Sequence, residues 1–318
     1  MAQILGIDTS NYTTSAAVLD LETGTVHQEK QLLPVKAGAA GLRQSDAVFH
    51  HTRQLPELLE RLQSRMQEKE LCAIGVSSRP RNLEGSYMPC FLTGLGTARS
   101  IASVNGLPLH VTSHQIGHVL AALYSAGKLA FCKQSFLAFH VSGGTTDSLY
   151  CEPDETDLLR ITPCGTSLDL KAGQAIDRVG LMLGMQFPCG AALEQLALQS
   201  RKQMRVRPVI RGMDCCLSGL ENKCRSMLEQ GELPEDIAKF CLLTVAETII
   251  AMTKAAQEKY GALPVIYAGG VMSNRMIRPM LSAQAECYFA EPDCACDNAV
   301  GVAVYGALRE KRGALWQF

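Results

Sequence analysis

The sequence lacks the features that mark a membrane protein or a disulfide-rich secreted protein. Hydrophobic residues make up 47% of its 318 residues, but no apolar run approaches the roughly 20 residues that span a bilayer. Residues 3–7 form an apolar segment with no basic stretch or cleavage site before it, so we expect a cytoplasmic protein without membrane attachment. The thirteen cysteines are scattered and include no Cys-x-x-Cys pair, which argues against a disulfide framework and a zinc ribbon.

An excess of charge of one sign is also lacking. The chain has 30 Lys and Arg against 31 Asp and Glu, a net charge of −1. Because no overall positive field attracts nucleic acid, any contact with RNA must come from a local patch. The segment 201–211 is the candidate, since it holds five cations and no acid. It is either an ordinary solvated face or a surface that binds RNA phosphates.

Three short polar turns are present, each directly after an apolar strand. Backbone N–H groups in such turns bind anions, and glycine lets the chain approach an oxygen closely. Each turn alone is also explained by the conformational preferences of Gly, Ser and Asn, but the three together predict a nucleotide site. The turns are residues 8–14, 142–147 and 268–274, after strands at 4–7, 136–141 and 265–267.

The hydrophobic periodicity predicts the same order of elements twice along the chain. It indicates a two-lobed α/β architecture with a boundary near 110–115, and lobes of 1–113 plus 298–318 and of 114–297. The predicted strands lie near 3–8, 15–20, 24–32, 72–77, 136–141, 146–151, 157–162 and 264–268. The predicted helices lie near 44–69, 93–105, 171–184, 190–200, 217–229, 236–259, 274–283 and 298–311.

The segment 114–118, His-Gln-Ile-Gly-His, carries two imidazoles at helical spacing. On a helix capped by Thr112 or Ser113 they lie one turn apart on one face, close enough to bind one metal ion. A third ligand must come from elsewhere, and Asp297 is the best candidate. With seven histidines, such a pair also arises by chance. The pair is half of a zinc-protease motif as well, but Gln115 stands where that chemistry needs a Glu base.

Eight segments, in order, resemble the TsaD family, the threonylcarbamoyl transferases of transfer RNA. This resemblance implies an actin-like ATPase fold of the sugar kinase and Hsp70 type, with a duplicated β-β-β-α-β-α core. The segments are ILGIDTS at 4–10, RPRNLEGSYMPCFLTGLGTARSIA at 79–102, HQIGH at 114–118, HVSGGTTD at 140–147, KAGQAIDRVGLMLG at 171–184, SGLENK at 218–223, GGVMSN at 269–274 and DNAVG at 297–301.

The resemblance also implies the ligands and the activity. One divalent metal, iron or zinc, is implied at His114, His118 and Asp297. The implied reaction moves a threonylcarbamoyl group from its adenylate to the exocyclic amine of the adenosine beside the anticodon of transfer RNA, or is a related carbamoyl transfer. The alternative is a regulatory or scaffolding paralogue that binds metal and nucleotide with little or no turnover. The implied contacts to the adenine nucleotide or acyl-adenylate are His140, Val141, Ser142, Gly143, Gly144, Asp177, Gly190 and Asn274.

The chain also departs from the family pattern. Asn11, Tyr12 and Thr13 replace Cys-Asp-Glu, and Thr145 replaces a histidine, so we expect a divergent active site. Two further replacements are Gln174 for Glu and Ile176 for Phe. The catalytic residues are unknown, and Asp8 and Thr145 are the candidates. Asp8 is either a turn residue or a group that supports the metal site.

The expected partners are transfer RNA, through the patch at 201–211, and TsaB-like and TsaE-like proteins or a second copy of the chain. The predicted helix 44–69 carries Leu55, Leu58, Leu59 and Leu62 at helical spacing. This leucine stripe predicts a surface for a homodimer or a TsaB-like partner. The alternative is that the stripe packs on the protein's own sheet.

Overall fold

A computed structural model describes residues 2–34, 42–66, 70–291 and 299–311. The chain forms two compact units, the first made of Met1–Lys133, Pro153–Arg160 and Asp293–Phe318, and the second of Gln134–Glu152 and Ile161–Pro292. The segment with the two histidines belongs to the first unit. The predicted lobes, 1–113 plus 298–318 and 114–297, remain a prediction.

Each unit contains one five-stranded sheet and its own helices. The strands are β1 Ala2–Thr9, β2 Thr13–Asp20, β3 Val26–Leu32, β4 Glu70–Arg79, β5 Leu109–Ser113, β6 Phe136–Val141, β7 Thr146–Asp154, β8 Leu158–Thr166, β9 Val209–Arg211, β10 Asp214–Cys216, β11 Val265–Ala268 and β12 Cys287–Phe289. The α-helices are α1 Gln44–Gln63, α2 Phe91–Asn105, α3 His114–Ser125, α4 Ala172–Met182, α5 Gly190–Ala197, α6 Ser218–Glu229, α7 Pro234–Tyr260, α8 Ile277–Ser282 and α9 Ala299–Glu310.

The two sheets repeat one topology. The first has the order β3-β2-β1-β4-β5 and the second the order β8-β7-β6-β11-β12. In the first sheet β1 pairs antiparallel with β2 and parallel with β4. In the second, β6 pairs antiparallel with β7 and parallel with β11. The α/β fold with a duplicated β-β-β-α-β-α core, predicted from the sequence, is therefore confirmed.

In the first unit, β1 is buried on both faces. Leu5 and Ile7 pack into the core that α1 and α2 cover. The opposite face carries Gly6, and a Cβ at this position would lie 2.2 Å from the carbonyl oxygen of Ala299. Glycine is needed here because the backbone of α9 lies directly on the strand.

The leucine stripe of α1 packs on this same sheet. Leu55, Leu58 and Leu62 are at most 1% exposed, and Leu59 packs against the core that contains Leu55 and Leu62. The prediction that the stripe forms a dimer or partner surface is therefore wrong, and the alternative, packing on the protein's own sheet, is correct. Periodicity shows which face of a helix is apolar but not what covers it.

Truncating this stripe should cost the free energy of a core cavity. We expect Leu58→Ala to lower the free energy of unfolding by about 2–5 kcal/mol, measured by urea denaturation. Leu32→Ala is the control, because Leu32 is 74% exposed and its truncation should cost less than about 0.5 kcal/mol. A loss below about 1 kcal/mol for Leu58→Ala would contradict its assignment to the core.

Two predicted helices differ from those observed. The helix predicted at 44–69 ends at Gln63, and β4 begins at Glu70. The helix predicted at 274–283 is α8, which begins only at Ile277, since Gly270–Ser273 form one 3₁₀ turn and Asn274 is extended, with φ −65° and ψ 130°. The third polar turn therefore does not open directly into an α-helix.

No described helix has the length and apolar content needed to cross a membrane.

Candidate metal and nucleotide sites

In the first unit, three polar side chains meet at the carboxyl edge of the sheet. Asp8 lies near the end of β1, Ser77 near the end of β4, and His114 directly after β5. These three strands are parallel to one another, so their carboxyl ends lie at one edge, where α/β proteins bind ligands. A cavity of about 220 Å³ opens there, lined by Asp8, Ser10, Asn11, Tyr12, Thr13, Ser15, His114 and His118.

Asp8 is the buried acceptor of this site, with 1% of its surface exposed. Its carboxylate accepts hydrogen bonds from the Ser77 hydroxyl and from His114 Nδ1, which lies 3.0 and 3.1 Å from the two oxygens. Burial raises the pKa of Asp8, but His114 and the Ser77 hydroxyl together hold it below its usual value. Asp8 is thus ionised at neutral pH and is a weak base. Its geometry suits a group that orients His114.

His114 and His118 lie side by side at the start of α3, as the spacing predicts. Ser113 caps this helix by accepting from the Ile116 N–H at 3.3 Å, and the ring centroids of the two histidines are 4.7 Å apart. The bond to Asp8 requires a proton on Nδ1 of His114, so the lone pair of the neutral ring is on Nε2. A carboxylate that fixes the ring in this way is the usual support of a metal-binding histidine.

The third predicted ligand, Asp297, lies outside the described residues. Within the described ranges, no three His, Cys, Asp or Glu side chains form a metal-binding cluster. The described part of α9, however, begins at Ala299 and packs closely on α3. A Cβ at Gly301 would lie 1.8 Å from the carbonyl oxygen of Gly117. Only glycine permits this approach, which brings the start of α9 against the turn between the two histidines.

His51, on α1, is hydrogen-bonded to the first polar turn through both ring nitrogens. Its Nε2 lies 2.7 Å from the carbonyl oxygen of Ser10, and its Nδ1 lies 2.8 Å from Thr14 Oγ1. Thr14 also donates to Gln54 at 2.7 Å. Burial lowers the pKa of His51, although the bond to Ser10 opposes this shift. These buried contacts link α1 to the turn, so the cavity has a rigid wall.

The second polar turn, in the second unit, is closed by its own serine. Ser142 Oγ accepts from the N–H groups of Gly144 at 3.3 Å and Thr145 at 3.1 Å, and the Ser142 N–H donates to the Thr145 carbonyl at 2.8 Å. Gly143 and Gly144 are exposed, and a Cβ on either would meet no atom within 4 Å. The backbone here is open to a ligand.

The start of α4 and the third turn flank this second turn. A Cβ at Gly173, in the first turn of α4, would lie 2.6 Å from the Gly143 nitrogen. Gly269 has a φ of +99°, and a Cβ there would lie 2.2 Å from the carbonyl oxygen of Val141. The predicted nucleotide residues at 140–144 and those at 268–274 are thus neighbours, because β6 and β11 are parallel and end at the same edge.

The remaining predicted contacts have structural partners. Asp177 on α4 accepts from the Cys189 N–H at 2.8 Å, directly before Gly190 begins α5. Asn274 is 8% exposed, and its Oδ1 accepts from the N–H groups of Met276 at 2.9 Å and Ile277 at 3.2 Å. Asn274 therefore bonds to the backbone where α8 begins. Asp177 and Gly190 are held together by the loop that ends at Cys189.

The residues that depart from the family pattern fit their surroundings. Asn11 accepts from Gln44 Nε2 at 2.7 Å, and Tyr12 is 46% exposed. Gln174 accepts from the Lys171 N–H at 3.3 Å and so caps α4, and Ile176 is buried in the core of the second unit. Tyr12 and Thr13 line the cavity beside Asp8.

Comparison with known proteins gives the family. The model of the family TsaD, described as tRNA N6-adenosine threonylcarbamoyltransferase, matches residues 34–304. A tRNA N6-adenosine threonylcarbamoyltransferase of Methanopyrus kandleri is 28% identical over 281 residues, which cover 86% of this chain and 78% of that protein.

Solved structures show the same fold at low sequence identity. Component A of (R)-2-hydroxyglutaryl-CoA dehydratase from Acidaminococcus fermentans has a TM-score of 0.57 at 17% identity and covers 98% of this chain and 100% of its own. A ROK family glucokinase from Streptomyces griseus has a TM-score of 0.53 at 12% identity, with coverage of 97% and 99%. Both of these proteins have the actin-like ATPase fold. The family model matches residues 34–304, which is most of this chain, and the chain therefore belongs to the TsaD family of tRNA-modifying transferases.

Proposed function

We propose that this chain transfers a threonylcarbamoyl group from threonylcarbamoyl-AMP to the exocyclic amine of the adenosine beside the anticodon of transfer RNA. The observation that carries the proposal is the buried Asp8 carboxylate, which fixes His114 next to His118 at the carboxyl edge of the first sheet. Membership of the TsaD family supports the reaction class. A cytoplasmic location is part of this proposal.

In this proposal His114, His118 and Asp297 hold one divalent metal ion, iron or zinc. Two imidazoles and a carboxylate are a donor set that suits both metals. Asp297 is two residues before Ala299, so their Cα atoms are at most about 7.6 Å apart, and Gly301 of the same helix contacts Gly117. When bound, the metal would act as a Lewis acid toward a phosphate or carbonyl oxygen. Asp8 keeps the His114 ring in its orientation.

The turn after β6 is proposed to bind the adenylate, together with His140, Val141, Asp177, Gly190 and Asn274. Ser142 Oγ accepts two N–H bonds, which polarise its own O–H toward a phosphate oxygen. In the reaction a C–N bond forms at the carbamoyl carbon. The bond from that carbon to the phosphate oxygen breaks, AMP leaves with the bonding electrons, and the proton that the amine loses passes to solvent water. Donors at the phosphate stabilise this leaving charge.

A slower reaction is part of the proposal. Tyr12 and Thr13 stand beside Asp8 where the family has two carboxylates. Without those two carboxylates the cavity has fewer groups that can accept the proton of the acceptor amine. The same observation favours the second candidate, a regulatory or scaffolding paralogue that binds metal and nucleotide. TsaB-like and TsaE-like partners, or a second copy of the chain, belong to both proposals.

A single-turnover assay tests the proposed function. With labelled threonylcarbamoyl-AMP and transfer RNA, with and without TsaB-like and TsaE-like proteins, we expect transfer roughly 10²-fold slower than that of a standard family member. The combined variant Asn11→Cys, Tyr12→Asp, Thr13→Glu and Thr145→His should raise the rate. A wild-type rate equal to the standard would show that the replacements are neutral. Nucleotide binding with no transfer under any of these conditions would favour the paralogue.

A further inference from the structure

The basic segment of the second unit presents its arginines on one side. From Met204 to Arg211 the residues alternate between half-buried and exposed, the pattern of an extended chain whose side chains point alternately to opposite sides. The segment continues into β9, where Val209 and Ile210 keep the alternation. Two residues of extended chain span roughly 6.6 Å, so Arg205 and Arg207 are about that far apart on the exposed side, and Arg211 lies on the same side after Val209.

The arginines of this segment carry charge that nearby carboxylates do not neutralise. Among the described residues, Arg201, Arg205, Arg207 and Arg211 have no carboxylate oxygen within the 4.0 Å of an ion pair, whereas Lys202 pairs with Glu232 and Asp236. Asp214, which faces Arg211 across the β9–β10 hairpin, instead accepts from the Thr166 N–H at 2.8 Å. We call these four arginines the arginine ladder.

A groove runs beside the ladder, between the segment and α7. It has a volume of about 540 Å³ and is lined by Lys202, Gln203, Met204, Arg205, Lys239 and Leu243. The Lys239 ammonium donates one bond to the Ser200 carbonyl at 3.0 Å, and an ammonium has two more donors. The groove therefore combines cationic donors with an apolar wall from Met204 and Leu243, which suits a phosphate joined to a flat, partly apolar group.

We propose that the arginine ladder and its groove bind the sugar–phosphate backbone of an RNA strand. Several guanidinium groups along one extended segment can contact successive phosphates of a strand, and arginine binds phosphate through two parallel N–H donors. The net charge of the chain is only −1, so the ladder is a local field rather than part of a general one. That the RNA is the transfer RNA substrate rests on the proposed function.

The test measures RNA binding without any acyl donor. The full chain and the variant Arg205→Gln, Arg207→Gln, Arg211→Gln are titrated with a transfer RNA transcript by filter binding between 50 and 200 mM salt. We expect the variant to bind at least about tenfold more weakly at low salt. The slope of log K against log salt should fall by roughly 2–3, since each lost phosphate contact removes about 0.7–0.9.

Two further variants make the result specific. Arg53→Gln, Arg61→Gln and Arg65→Gln remove the same charge from exposed positions of α1 and its end, in the first unit, and should leave RNA binding unchanged. Arg205→Lys, Arg207→Lys and Arg211→Lys should restore the slope, because each lysine keeps the charge, but only part of the affinity, because an ammonium lacks the two parallel donors of a guanidinium. A circular dichroism melt of each variant tests whether its fold is intact.

The outcomes separate this proposal from the proposed function. RNA binding by the triple Gln variant equal to that of the wild type, or an equal loss in the α1 control, would overturn the ladder. Tighter binding of the wild type to phosphatidylserine vesicles than to RNA would overturn it in favour of a membrane surface. Ladder-dependent RNA binding by a protein that shows no transfer would support the ladder and count against the proposed function.

Discussion

Replacing His118 by alanine is expected to remove the bound metal and to leave the fold intact. The purified wild type should carry about one iron or zinc per chain, and His118→Ala less than roughly a tenth of that, by elemental analysis. His118 lies half-buried near the start of α3, and the buried apolar side chains of the helix, such as Leu120 and Leu123, are unchanged in the variant, so the thermal transition should change little. A metal that serves chemistry keeps open positions and does not nucleate the fold.

Three comparisons make the metal result specific. His27→Ala removes an exposed imidazole far along the chain and should leave the metal content unchanged. Asp297→Ala should match His118→Ala if Asp297 is the third ligand. Asp8→Asn should keep partial occupancy and weaken metal affinity by about 10–100-fold, since it perturbs the orientation of His114 but removes no ligand. Equal metal content in wild type and His118→Ala would exclude this assignment.

The sequence predicts best the elements whose signal is contained in one short segment of the chain. The strands β1 and β6 are short apolar runs followed by polar turns, a pattern that fixes both the strand and the place where it ends. The histidine pair is likewise a local signal, because four residues of α-helix place two side chains on one face. Both parts of the candidate sites could therefore be predicted before any three-dimensional arrangement was considered.

What the sequence does not predict depends on contacts between distant segments. Nothing in the pattern around Ser77 indicates that its hydroxyl meets Asp8, since this follows from the parallel pairing of β1 with β4. The fit of Gly301 on Gly117 and the bond from His51 to Ser10 are also products of tertiary packing. A polar residue at the carboxyl end of each parallel strand is the signal by which Ser77 could have been found.

The start of α8 shows a limit of a different kind. The sequence predicts a helix at 274–283, directly after the run of Gly, Ser and Asn that follows β11. The side chain of Asn274, however, bonds to the N–H groups of Met276 and Ile277. This local bond delays the helix, since Asn competes with the backbone through its own oxygen.

The variant Gly144→Val is expected to abolish binding of adenine nucleotide and to leave the unliganded protein as stable as the wild type. A Cβ at Gly144 would meet no protein atom within 4 Å, so the fold has room for the side chain. The same open space is where we propose that the phosphate approaches the backbone, and a branched side chain would fill it. Titration calorimetry with AMP and with a non-hydrolysable ATP analogue should show an affinity at least about 100-fold lower.

Two other glycines of the same unit serve as controls. Gly219→Val, on α6, also places its Cβ in open space but away from the turn, so nucleotide affinity should be unchanged. Gly173→Ala places a Cβ 2.6 Å from the Gly143 nitrogen and should lower the free energy of unfolding by about 1–3 kcal/mol. It should also lower the affinity for nucleotide. Only Gly144→Val should separate the two properties, because only there is the added side chain harmless to the fold and harmful to the ligand. Undiminished affinity in Gly144→Val would mean that the turn after β6 is structural and that the nucleotide binds elsewhere.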